Sequence, residues 1–120
     1  MISSHFDDSL GIMIHIGSEV ITLAEILDAI GRWLKHPSSK SQRPMVWDIR
    51  GAFMNVSFDE LRPVVSFMND LVRQNRVGKI AWVFRMETTR SMISMVGDEI
   101  TNKQWGMFQS YEEAIEWCRL

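Results

Sequence analysis

The chain carries one cysteine, Cys118, so no intrachain disulfide can form and a metal site built on four cysteines is excluded. Its three histidines, His5, His15 and His36, are dispersed, with no second histidine or acid at ligand spacing, which argues against a bound metal. Glycine is sparse, and Gly17, Gly51 and Gly97 stand alone, so there is no phosphate-cradling loop or dinucleotide fingerprint. A Gly-x-Ser-x-Gly nucleophile elbow is also absent. Neither charge sign dominates: 13 Lys and Arg face 15 Asp and Glu for a net charge of -2, with no block that would track a phosphate backbone or an anionic bilayer. No apolar run approaches the roughly 18 residues needed to span a membrane. The start, Met-Ile-Ser-Ser-His-Phe-Asp-Asp, lacks the basic and apolar regions of a secretion signal. These absences lead us to expect a cytoplasmic, non-enzymatic protein with no cofactor, no metal, no nucleic-acid partner and no membrane insertion.

What is present is enough apolar material, 46 % of 120 residues, to fill a core in a single domain spanning 1–120. Residues 10–16 alternate Ile12, Ile14 and Ile16 with Met13 and His15 after the Asp7-Asp8-Ser9 turn signal, which predicts a strand, hairpinned with residues 2–6. Thr22-Leu-Ala-Glu25 is a capping box opening a helix over 23–36, ended by Pro37. Met45 to Ile49 is a nearly all-apolar strand that gives way to a loop at Asp48-Ile-Arg-Gly51. A second capping box, Ser57-Phe-Asp-Glu60, opens a helix reaching about Asn75, with Pro63 kinking it. Strands over 79–85 and 104–109, a short Met-rich helix over 89–96, and a last helix over 111–119 behind a third box, Ser110-Tyr-Glu-Glu113, complete the chain. Strand and helix alternate four times, the pattern of an α/β domain with a mainly parallel sheet and an antiparallel N-terminal strand. Right-handed crossovers stepping always the same way place every helix on one face, leaving the other face to be covered by the chain or by another molecule.

Taken together, the early strand with Gly17 and Thr22-x-x-Glu25, the strand Val46-Trp-Asp-Ile-Arg-Gly51, the helix from Ser57, the strand Ile80 to Phe84 and the ending Met107-Phe-Gln-Ser-Tyr-Glu-Glu-Ala-Ile-Glu-Trp117 resemble STAS domains. Within that group the likeness is to the small bacterial SpoIIAA-like proteins, which share a fold with the lipid-carrying CRAL-TRIO domains. The resemblance spans nearly the whole chain. It implies a four-unit β-α fold and, as in anti-sigma-factor antagonists, a regulatory protein-interaction module acting on a protein partner or as a homodimer. It also implies an alternative, a carrier of a small apolar ligand or lipid. By position Ser57 matches the serine that is phosphorylated in the antagonists, although Asn55 stands in place of the acid and Phe58 in place of a small residue.

The residues themselves offer two candidate surfaces. Ser18, Asp48, Arg50, Asn55, Ser57, Glu87, Thr88 and Arg90 are expected to gather near the C-terminal strand ends, where open parallel sheets bind ligands. Of these, Ser57, Asn55, Asp48 and Arg50, with Phe58, are the candidates for phosphorylation or partner binding. Asp48 and Arg50, two apart on a strand, are placed to pair with each other or with Arg85 and Glu87. Trp47, Trp82, Phe84, Met92 and Met95 are the candidates for a ligand or interface surface, because nine methionines and five tryptophans suit an adaptable apolar patch. Ser57 with Glu60 is already explained as a helix cap, the stronger reading from the residues, and a methionine-rich core is favoured over a ligand or partner surface.

Overall fold

Three helices begin where the sequence supplies a hydroxyl with an acid three residues later. The computed structural model describes residues 1–87, 89, 91, 94 and 104–120. Among these, helix α1 spans Leu23–Lys35, α2 spans Phe58–Arg73 and α3 spans Tyr111–Cys118. In α1 and α2 both halves of the capping box form: Thr22 and Ser57 accept from the amides of Glu25 and Glu60, and those carboxylates accept from the cap amides. At α3 only half forms, because the Ser110 hydroxyl accepts from the Glu113 amide but donates to Glu112 at 3.1 Å. Pro63 lies inside one continuous helix. Its missing amide would have bonded Asp59, one turn back near the start of α2. The far end of α2 closes with Asn75 at φ 59, its amide on Val72 and that of Arg76 on Leu71, the paired bonds of a Schellman cap.

Five strands form one sheet in the order β1 (Ile2–Asp7), β2 (Ile12–Ile21), β3 (Met45–Met54), β4 (Ile80–Val83) and β5 (Trp105–Phe108). β1 runs antiparallel to β2, and every later neighbour is parallel. The β1–β2 turn is tied by the Asp7 carboxylate, which accepts from the Ser9 and Leu10 amides, while Gly11 supplies the positive φ.

Two expectations need correction. β3 does not stop at Ile49, and the segment from Gly51 is not a loop until Asn55. Ile16 pairs with Asp48 and Ser18 with Gly51, so β3 carries one extra residue there. This bulge reverses the alternation, sends Ala52 and Met54 to the same core as Ile49, and lets the pairing continue to Ile21 and Met54. Periodicity alone could not see past it.

The second correction concerns the helices, which do not all share a face. α1 and α2 cover the inner face, with Ile26, Ala29, Ile30 and Trp33 and then Leu61, Val64, Val65, Met68 and Leu71 packed on Met45, Trp47, Ile49, Ile80, Trp82 and Phe84. α3 lies on the outer face, where Ala114 and Cys118 join Ile12, Ile14, Val46, Ala81 and Val83. The crossover rule constrains only helices that connect two parallel strands. α3 follows the last strand and is free to close the other side.

The sequence-predicted helix over 89–96, with Met92 and Met95, lies outside the described residues except at positions 89, 91 and 94, as do Thr88, Arg90 and Gly97.

Candidate functional site

On the outer face of β3, Val46 is roofed by α3, and the next outward positions are Asp48 and Arg50. Asp48 is 8 % exposed, and its carboxylate accepts from Arg50 Nε at 2.9 Å and Nη2 at 2.8 Å, a bidentate pair. The Arg50 amide also donates to Asp48. Two planar groups matched in this way leave neither charge buried alone, which is what makes Asp48 tolerable at this depth. Hydrogen bonding to Asp48 is the chief cause that raises the Arg50 pKa above its ordinary value.

The guanidinium of Arg50 lies 5.8 Å from the centre of the Tyr111 ring at the start of α3. Tyr111 in turn lines a cleft of about 410 Å³ with Leu10, Glu112, Ile115, Glu116 and Arg119. Burial, followed by the charges of Asp48, Asp7 and Glu112, pushes the Tyr111 phenol above its usual pKa. Glu112 is held below the ordinary carboxylate range by its own backbone amide and by the Ser110 hydroxyl, so it is ionised at neutral pH.

Among the described residues, nothing covers the outer face beyond the reach of α3. Ile16 is 40 % exposed, and the cross-strand partners Val20 and Phe53 are 49 % and 57 % exposed. Beside them Glu19 holds a left-handed φ of 60°. From Phe53 the chain passes through Asn55, whose amide donates to Ile21, and buried Val56 to the exposed cap Ser57. Phe58 turns back toward the core under α2.

The inner face has a different character. His15, Trp47, Trp82 and Trp105 form a row across β2 to β5, with ring centres 4.2, 5.1 and 5.6 Å apart. Trp47, Trp82 and Phe84, expected as a ligand or interface surface, are enclosed by the chain's own helices. Among the described residues, four enclosed ring nitrogens of the row, His15 Nε2 and the three indole Nε1 atoms, have no acceptor or donor partner. Trp33 differs, since its indole donates to the Arg76 carbonyl at 2.8 Å.

His15 brings a serine close. Its Nδ1 is 2.7 Å from Ser4 Oγ, directly across the β1–β2 hairpin. The pair has the reach of a nucleophile and its base but lacks the chemistry. Burial, with repulsion from Arg32 and His5, lowers the His15 pKa to about 3, and its Nε2 has no carboxylate to stabilise an imidazolium. The buried Cys118 thiol is pushed up to about 11 by desolvation and is no better a nucleophile. Among the described residues no three His, Cys, Asp or Glu side chains stand together as metal ligands. No helix among them is long and apolar enough to cross a membrane.

Of the residues expected at one edge, Asp48 and Arg50 are therefore joined to each other, Ser18 lies opposite Gly51, and Asn55 and Ser57 form the adjoining corner. Leu10, Tyr111 and Ile115 could not be recognised as cleft residues from the sequence, because their role depends on α3 taking the outer face.

No protein-family model matches the chain, and no curated protein matches it. Among solved structures, an uncharacterized protein from the DUF3478 family with a SpoIIAA-like fold, from Shewanella loihica PV-4, superposes with a TM-score of 0.63. The superposition covers 98 % of this chain and 92 % of that one at 11 % identity. This chain has a SpoIIAA-like fold. Within the SpoIIAA-like fold, Ser57 occupies the entry to the helix that follows β3, and the outer-face cleft is made by the closing helix of the same scaffold.

Proposed function

We propose that the protein is a non-enzymatic interaction module of SpoIIAA-like fold that binds a protein partner through the bare half of its outer sheet face. The reading rests on Ile16, Val20 and Phe53, apolar side chains held in solvent on paired strands beside the fixed Asp48–Arg50 pair. Ser57, four residues after Phe53, is the point of regulation in this reading. A phosphate there would break the capping box and add about two negative charges beside Asp59 and Glu60. Ser57→Glu is expected to weaken partner binding while costing only about 1 kcal/mol of stability.

The test is a photo-crosslinking side chain at position 53, in cells of the native host, with the same group at exposed Asp28 on α1 as control. A discrete adduct at 53, absent at 28 and lost on Val20→Lys, supports the module, and an adduct with a second copy identifies it as a homodimer. The alternative, a carrier of a small apolar molecule, is favoured by one observation, the four enclosed ring nitrogens that have no partner among the described residues. A ligand reaching them would have to displace α1 or α2. A stoichiometric small-molecule adduct in native mass spectrometry, with no crosslink at 53, would decide for the carrier.

A further inference from the structure

We propose that the cleft beside α3 receives an arginine side chain of the protein partner, its stem on Leu10 and Ile115 and its guanidinium against Tyr111 between Glu112 and Glu116. The inference rests on the interaction reading above and adds the chemistry of the partner.

The walls of the cleft fit that side chain part by part. Leu10 and Ile115 offer apolar surface of the kind on which the methylenes of a long cationic side chain lie. Glu112 and Glu116 stand one helical turn apart on the same side of α3, and Glu112 is fixed in place by the Ser110 hydroxyl at 3.1 Å. The base among the lining residues, Arg119, caps α3 one turn beyond Glu116, farther along the chain from Tyr111 and Glu112.

The chain also shows the same chemistry within itself. Arg50 sits over Tyr111 with a carboxylate matched to its guanidinium, so this ring already accepts one cation of the proposed kind. Asp48, Asp7 and Glu112 act on the Tyr111 phenol in the sense of a negative local potential, against the smaller opposing charge of Arg50, and a net negative potential attracts a cation. The Arg50–Tyr111 contact joins the cleft to the bare strip of Ile16, Val20 and Phe53, so a partner lying along the outer face reaches both. Arginine suits the site better than lysine, because a planar guanidinium can stack on the ring and bond a carboxylate at the same time.

The probe is N-acetyl-argininamide, titrated against isotope-labelled protein with backbone amide shifts as the readout, and compared with its uncharged isostere N-acetyl-citrullinamide. Saturable shifts confined to Leu10, Tyr111, Ile115 and Glu116 are expected. They should weaken about tenfold for citrulline and in Glu112→Gln/Glu116→Gln, and fade as salt rises. Equal binding of citrulline, or shifts scattered over the acidic surface, overturns the proposal.

Crosslinking at Phe53 separates this proposal from the reading beneath it. If the adduct persists undiminished in Glu112→Gln/Glu116→Gln, the arginine seat is wrong and the module stands. If the parent protein gives no adduct, the module itself falls. An adduct with a second copy moves the occupant from a foreign partner to this chain and overturns the partner assignment.

Discussion

The hydrogens around His15 can be assigned from donors alone. Arg32 has no acceptor to offer and donates to Ser4 Oγ from Nε at 3.1 Å and from Nη2 at 3.0 Å. The Ser4 hydrogen therefore points at His15 Nδ1, and the neutral ring carries its own hydrogen on Nε2. Protonation would put a donor against a hydroxyl whose lone pairs are already taken, beside the Arg32 charge, which adds to the desolvation that dominates the lowered pKa. The linkage follows. Below pH 6.5 the unfolded chain binds a proton at His15 that the native state refuses until about pH 3, so stability is intact above 6.5 and is lost as pH falls through that window. Between pH 6.5 and 5 this one group should remove about 2 kcal/mol, on the scale of 1.4 kcal/mol per unit. His15→Phe keeps a ring on Trp47 and should flatten that slope in denaturant titrations, whereas an undiminished slope would place the acid sensitivity elsewhere. The histidine was visible in the sequence as a residue of the alternating strand beside Met13 and Ile14. Its serine was not, because the pairing needs the register that sets Ser4 across from His15.

At the scale of elements, what the sequence made plain was local. The two full capping boxes are short-range statements in which a hydroxyl and a carboxylate satisfy amides within one turn, and both form as the spacing dictates. What escaped was set by neighbours. The β3 bulge depends on β2, and the side chosen by α3 depends on what holds it there. Lys79, just before β4, is that tether: its ammonium donates to the carbonyls of Trp117 at 2.8 Å and Leu120 at 3.2 Å and lies 5.0 Å from the centre of the Trp117 ring. A cation on the final carbonyls of a helix satisfies orphan acceptors and opposes the macrodipole. Lys79→Met should cost about 1–2 kcal/mol. Amide exchange should quicken in α3 while α1 and α2 keep their protection. A uniform loss of protection would mean that the last helix is held by packing alone.

For the whole molecule, the governing fact is one sheet with two unequal covers. α1 and α2 bury the inner side under two long helices, while the outer side depends on the eight residues of α3. The alternation of strands and helices was enough to read the α/β class and the parallel sheet, but not how the outer side is shared between α3 and the bare strip. That strip is compatible with a folded monomer only because α3 protects the rest. Ending the chain at Ser110 would expose Ile12, Ile14, Val46 and Val83, which are at most 1 % accessible now, together with Ala81. At about 1.5–3 kcal/mol for each large aliphatic side chain, that is roughly 6–12 kcal/mol, as large as the whole net stability of an ordinary domain. The truncated chain is therefore expected to lose its cooperative unfolding transition and to bind a hydrophobic dye. Phe53→Ser, on the bare strip, should unfold at a denaturant midpoint close to that of the parent. If the truncated chain still melts cooperatively, the outer face is stabilised by something other than α3, and the division between a covered half and a binding half fails with it.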